Sequence, residues 1–223
     1  MNNNSISTEN FIKTIFKFES MDGFDTRSGT IARELGVTHA AATDMARKLA
    51  IKKLIAYEKY KELRLTDSGR KLAMDVLRKH RLWETFLQKV LGLGMHEIHQ
   101  EAELLEHATS DFLLEKINDF LNYPKYDPHG DPIPNAHGYF EETNDYLSLY
   151  TATPNAVLKI MRLSSSDEEF FEFCNENKLH IGSLLIIRKH YPKNKMTEIE
   201  IDGTRLLLNN ELSSSIYVKP NNA

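Results

Sequence analysis

Cysteine is nearly absent from this chain of 223 residues, where Cys174 stands alone. A lone thiol excludes an internal disulfide and fits a reducing compartment, so a cytoplasmic location is expected. Long apolar runs are missing as well. Nothing approaches the roughly 18–20 apolar residues of a membrane span, so no membrane partner is expected. Met1-Asn2-Asn3-Asn4 opens no apolar segment of signal-peptide length. Internal repeats and low-complexity tracts are lacking too. What remains is an ordinary globular composition, long enough to bury a core in one or two domains.

The formal charge of −4 hides an asymmetry. Residues 1–81 hold 16 Lys/Arg against 10 Asp/Glu, whereas residues 82–223 hold 12 against 22. A basic first third on an acidic remainder points to a polyanionic partner for that third.

The densest chemistry lies in Ile98-His99-Gln100-Glu101-Ala102-Glu103-Leu104-Leu105-Glu106-His107. At 100° per residue, a helix gathers His99, Glu103, Glu106 and His107 within roughly a 100° arc. Leu104, Leu105, Ala108 and Phe112 fall opposite and are expected to be buried. Upstream, His80 and Glu84 repeat a ligand pair at i, i+4. Carboxylate oxygens mixed with imidazoles suit a first-row divalent cation, and the distant Cys174 leaves the site free of thiolate. A face rich in Glu and His can also be merely solvated; the second pair argues for metal. His96 is expected at the surface, and His129 and His137 as local hydrogen-bonders.

Around this cluster the periodicity predicts a mainly α chain with a smaller β part. A helix over Asn10–Glu19 buries Phe11, Ile12, Ile15 and Phe16 and breaks at Gly23. Thr26 or Ser28 caps a short helix ended by Gly36, and Thr38 caps the next, a helix-turn-helix outline. Strand-like runs at 54–57 and 63–66 flank the basic turn 58–62, which reads as a wing. A helix through Arg78, then helices at 79–91 and 96–121, follow. Three prolines make 127–134 an ordered surface loop. Five short strands at 156–163, 183–191, 196–201, 205–208 and 216–219, with a helix from Asp167 to Lys178, suggest an SH3-like β-barrel. Asp202-Gly203 marks a hairpin.

With the winged helix, Arg-Lys-His-Arg-Leu-Trp-Glu at 78–84, the cluster at 99–107 and Asp-Pro-His-Gly-Asp-Pro-Ile-Pro at 127–134, the chain resembles the diphtheria toxin repressor family. The resemblance covers essentially the whole chain and implies a metal-dependent transcriptional repressor. It implies a winged helix-turn-helix DNA-binding domain (1–75), a helical dimerisation and metal-binding domain (76–140), a linker (141–155) and an SH3-like, FeoA-like domain (156–223). It also implies two metal sites. The primary one would use Glu103, Glu106 and His107 with Asn10 from the first helix; the ancillary one would use His80, Glu84 and His99 with Asp167, or else Glu168 or Glu169. Glu103 stands where iron-type members place cysteine, which points to Mn²⁺, with Fe²⁺ as the alternative. Asn10 replaces the family's Met or Asp, and Lys13 stands where short manganese regulators carry an acidic residue.

On the DNA side, Thr38, His39, Ala40, Thr43, Asp44, Arg47 and Lys48 are expected to face double-stranded operator DNA. Arg27, Lys59, Lys61 and Arg64 are expected to touch phosphates, setting affinity rather than sequence choice. Trp83, Phe86, Leu87, Val90 and Leu91 are expected in helix packing or in a homodimer core. The reading is therefore a Mn²⁺-activated homodimeric repressor of metal-uptake genes. A metallohydrolase is the rival class, but no nucleophile motif accompanies the His/Glu cluster and the basic wing would be unexplained.

Overall fold

The computed structural model describes residues 4–20, 25–140, 145–165 and 167–221. They divide into two compact units, Met1–His80 with Glu103–Leu114 and Pro134–Phe140, and Arg81–Ala102 with Glu115–Ile133 and Glu141–Ala223. The expected break at Gly23 lies outside the described residues.

The first unit opens with α1 (Ile6–Glu19), which begins four residues earlier than its apolar pattern suggests because Ser5 caps it, accepting from the Thr8 amide. Its buried face is Phe11, Ile12, Ile15, Phe16 and Phe18. The next helix, α2 (Ser28–Glu34), has Arg27 at its cap position and no side-chain cap. Thr26, expected as a cap, instead donates its hydroxyl to Leu63 O at 2.7 Å, fastening the approach to α2 against the wing. In α3 (His39–Ile51), the Thr38 hydroxyl accepts from the Ala41 amide, and Ala42, Ala46 and Leu49 turn inward. Two-residue strands β1 (Ile55–Ala56) and β2 (Arg64–Leu65) pair antiparallel and complete the winged helix.

The long helix α4 (Asp67–Leu91) runs 25 residues without the expected division after Arg78. No glycine or proline falls between 70 and 91 to interrupt it. By contrast, the single helix expected over 96–121 is two, α5 (Met95–Leu105) and α6 (Asp111–Phe120). Thr109 donates its hydroxyl to Leu105 O at 2.6 Å, and Ser110 Oγ accepts from the Leu113 amide at 3.2 Å. These local bonds end one helix and start the next. Leu104 and Phe112, expected to be buried, are instead 70% and 75% exposed.

In the second unit, β3 (Leu147–Ser148), β4 (Val157–Leu163), β5 (Leu184–Tyr191), β6 (Met196–Ile201), β7 (Thr204–Asn209) and β8 (Ile216–Pro220) form one antiparallel sheet ordered β3-β8-β4-β5-β6-β7. The expected barrel is not closed. The sheet ends on β3 and β7, with β3 drawn from the stretch expected to be linker, and the unforeseen helix α8 (Asn210–Ser215) separates β7 from β8. Asp202-Gly203 makes the expected hairpin, with Ile201 opposite Thr204 and positive φ at both turn residues. Alternation along the strands buries Ile160, Leu185, Ile187, Ile199, Leu208 and Val218. They pack with Phe170, Phe171 and Cys174 of α7 (Glu168–Glu176).

The proline loop is fastened to the sheet. Asp127 Oδ1 accepts from the His129 and Asp131 amides at 2.9 Å each, folding the loop onto itself. The Leu163 amide donates to His129 O at 2.9 Å, and Arg162 Nε lies 2.9 Å from Asp131 Oδ1. Gly130 has φ +88°, and a Cβ there would stand 2.0 Å from Met161 O, so only glycine lets the loop lie this close to β4.

Candidate metal centre

The primary cluster forms within the first unit. Helix α5 ends at Leu105, so Glu103 projects from its last turn while Glu106 and His107 sit in the turn beyond it. A helical reading of the spacing therefore finds the right residues on a backbone that has already left the helix. Glu106 is fully shielded, His107 nearly so, and Glu103 is about one-third exposed. One ligand atom from each of the three lies within 4.8 Å of the others, close enough for one small cation to touch all of them.

Each donor is oriented by a neighbour. His107 Nδ1 meets Glu9 Oε2 of α1 at 2.6 Å, which leaves Nε2 as the atom facing the cluster. That Nε2 is buried without a hydrogen bond, although Glu106 Oε1 is 3.2 Å away. A carboxylate behind an imidazole fixes its tautomer and raises its basicity, the usual support for a metal-binding histidine. Glu106 Oε2 pairs with His80 Nδ1 at 2.7 Å, and the same nitrogen lies 3.7 Å from Glu103 Oε1. His80, expected in the ancillary set, thus stands against the primary carboxylates. Asn10 Oδ1 is buried and has no hydrogen-bond partner. A buried amide oxygen and a buried imidazole nitrogen without hydrogen-bond partners are both atoms that could serve as cation ligands. The oxygen-rich donor set is chemically suited to one.

Two further residues join the cluster: Glu9, which the sequence reading does not name, and Lys13, which it names only as a departure from the short manganese regulators. Glu9 was overlooked beside Asn10, although its place one residue away on α1 was available as a signal. Lys13 Nζ sits 2.5 Å from Glu103 Oε1 and 2.7 Å from Glu106 Oε1, an ammonium held by the two carboxylates of the cluster. Its two partners lie 90 and 93 residues further along the chain.

In the second unit, Glu84 is buried and collects two imidazoles, His99 Nδ1 at 3.1 Å and His129 Nε2 at 3.3 Å. Burial, with Asp131 and Glu84 nearby, pushes the Asp127 carboxyl up to about 7 against the pull of Arg81. His129 packs its ring 5.3 Å from Phe171 of α7. His129 therefore reaches a residue of the expected ancillary set, a larger role than the local hydrogen-bonding expected of it. Asp167, the expected fourth ligand, caps α7 by accepting from the Glu169 amide. Its neighbour Glu168 lies 3.8 Å from His96 Nε2.

At the winged helix, Thr38, His39, Ala40, Asp44, Arg47 and Lys48 are exposed, and Thr43 is partly so. Several of the cations are held within the chain. Lys48 pairs with Asp44 at 2.8 Å, Lys61 with Glu58 at 2.8 Å, and Lys59 lies over the Tyr60 ring. Arg27 Nη2 and Nε grip Asp25 Oδ2 at 2.6 and 3.1 Å. Hydrogen bonds from Arg27 and Thr30 pull the Asp25 carboxyl down to about 2. Exposed pairs of this kind are weak enough for a phosphate to replace the carboxylate.

A winged helix followed by a carboxylate–imidazole cluster and an antiparallel sheet domain defines a class, the metal-dependent DNA-binding regulators. Residues 5–63 match the N-terminal DNA binding domain of iron dependent repressors, residues 66–135 their metal binding and dimerisation domain, and residues 147–220 the FeoA domain. A solved manganese-dependent transcriptional repressor in complex with manganese is 31% identical, with TM-score 0.89, over 96% of this chain and 99% of its own. The manganese regulator SloR is 32% identical, with TM-score 0.79, over 99% of this chain and 100% of its own. The iron-dependent repressor IdeR of Mycobacterium tuberculosis is 34% identical over 128 residues, 57% of this chain and 55% of the relative. The match thus spans about half the length of such curated relatives. The chain belongs to the diphtheria toxin repressor family of iron- and manganese-dependent repressors, which are DNA-binding proteins and not enzymes. No described helix is long and apolar enough to cross a membrane.

Proposed function

We propose that the chain is a homodimeric repressor that uses Mn²⁺ as corepressor and controls metal-uptake genes in the cytoplasm. What supports the choice of metal is the chemistry of the clustered Glu103, Glu106 and His107, two carboxylates and an imidazole with no thiolate, to which we add the buried, unbonded amide oxygen of Asn10. Mn²⁺ is the weakest binder among the first-row divalents, so a site accommodates it by withholding the soft donors its competitors prefer. Fe²⁺ remains the second reading, favoured by iron-dependent relatives such as IdeR.

The bound ion would supply a doubly positive charge joining Asn10 of α1 to the turn after α5. Glu9 and His80 hold His107 and Glu106 in place for it. Because α1 packs in the same core as α2 and α3, fixing α1 restricts the helix-turn-helix. Two copies would then present their α3 helices about one DNA turn, roughly 34 Å, apart. Exposed Leu104 and Phe112 in one unit, and Val90, Leu91 and Phe120 in the other, supply apolar surface for the second copy. The coupling is reciprocal, so operator DNA tightens metal binding by the factor by which metal tightens DNA binding.

The test is operator affinity titrated against buffered free Mn²⁺, Fe²⁺ and Zn²⁺ for the wild type, Glu106→Ala and Glu103→Cys. Glu106→Ala should abolish the metal response in a folded protein. Glu103→Cys should raise activation by Fe²⁺ and Zn²⁺ relative to Mn²⁺. An unchanged ratio of activating metals would remove the basis for manganese.

A further inference from the structure

We propose that Lys13 is a built-in competitor for the metal: its ammonium occupies the carboxylates of the primary cluster in the free protein and sets the concentration at which a divalent ion can enter. The inference rests on the metal reading given above. The ammonium is bound to Glu103 Oε1 at 2.5 Å and to Glu106 Oε1 at 2.7 Å. Of these, Glu106 Oε1 is also the oxygen that faces the orphaned His107 Nε2 at 3.2 Å. A divalent ion on His107 Nε2 and these carboxylates needs the oxygens that Lys13 now holds. Both cations cannot keep them, because metal–oxygen bonds of about 2.2 Å leave no room for an ammonium on the same side.

Electrostatics gives the contest its sign. Three carboxylates, Glu9, Glu103 and Glu106, surround the cluster against the one ammonium of Lys13, a formal excess of two negative charges that one divalent ion matches. Lys13 is 17% exposed at the side chain, so solvent screens its charge only partly. Even after yielding the oxygens, an ammonium on a short tether from α1 stays near the ion and opposes it. Lys13 also joins α1 to the turn after α5 in the free protein, the same two segments that the metal would join. Binding therefore exchanges a singly charged tie for a doubly charged one, and the free protein keeps its cluster assembled.

A purely structural tie and a competitor predict opposite signs when the charge is removed. Apo full-length protein would be titrated with Mn²⁺ against a fluorescent chelator, comparing wild type with Lys13→Met, Lys13→Gln and Lys13→Arg. As a competitor, Lys13 predicts at least tenfold tighter Mn²⁺ binding in Lys13→Met and Lys13→Gln. Lys13→Arg should stay within threefold of wild type. Thermal scans should show a lower apo midpoint for the neutral variants and a larger rise on adding Mn²⁺. Wild-type or weaker affinity in whichever neutral variant folds overturns the inference. Glu106→Ala, run in parallel, separates the two claims. If it loses Mn²⁺ while Lys13→Gln is unchanged, only the competitor role fails; if it binds Mn²⁺ like wild type, the metal site itself is misplaced.

Discussion

Replacing Gly130 by alanine should destabilise the second unit by about 2–5 kcal/mol. Two contributions add. At φ +88° an L-residue meets left-handed strain of about 1–2 kcal/mol. The new Cβ would also stand 2.0 Å from Met161 O and 2.9 Å from Arg162 Cα, both backbone atoms of β4 that no side-chain rotation can move aside. Forcing the loop or strand to shift adds about 1–3 kcal/mol. Gly203→Ala is the matched control: its φ is +76°, yet nothing lies within 4 Å of its added Cβ, so it carries strain alone. Fluorescence of Trp83, the single tryptophan and a member of the same unit, follows thermal unfolding of both variants. At about 2–4 °C per kcal/mol for a chain of this size, Gly130→Ala should melt about 10 °C lower and Gly203→Ala about 5 °C lower. Equal shifts would show that the close approach to β4 is not what requires glycine at 130.

Three further outcomes are expected. Glu9→Ala should weaken Mn²⁺ binding about ten- to hundredfold in a chelator competition, because His107 loses the carboxylate that orients it. Changing Lys59 and Lys61 to Ala should lower affinity equally on all DNA sequences and reduce the salt slope by about one unit per lost phosphate contact, seen in binding isotherms at several ionic strengths. Cys174 is buried, and burial pushes its thiol from 9.0 up to about 12, so it should resist alkylation at pH 8 until the chain is denatured. Because the folded value is the higher one, its contribution to stability is intact below pH 9 and falls as pH rises toward 12.

Much of the candidate cluster is legible because its residues are close in sequence. Glu103, Glu106 and His107 follow a helical spacing, and the chain keeps them together even though α5 ends at Leu105. The resemblance brings α1 to this cluster through Asn10, but neither Glu9 as the partner of His107 nor the contact of Lys13 with the two carboxylates is legible, since both depend on how α1 packs. The same holds for His129: its loop was readable from three prolines, but its approach to Glu84 follows from how Gly130 packs on β4. Strand positions were readable from alternation, whereas closure depends on which strands pair, and the pairing leaves β3 and β7 unjoined. Leu104 and Phe112 read as core because apolar periodicity alone does not distinguish a buried face from an exposed apolar one.

If the proposed donors hold the metal, the absence of sulfur among them has a consequence for oxidative stress. A thiolate ligand exposed to peroxide passes through sulfenic to sulfinic acid, and a sensor built on one goes blind when oxidants rise. Carboxylate, imidazole and amide oxygen have no place on that ladder. Cys174, the chain's only thiol, is kept protonated and enclosed among Phe170, Phe171 and the sheet. A repressor so constructed should keep reporting metal supply during an oxidant burst, when a cysteine-ligated counterpart would release its operator.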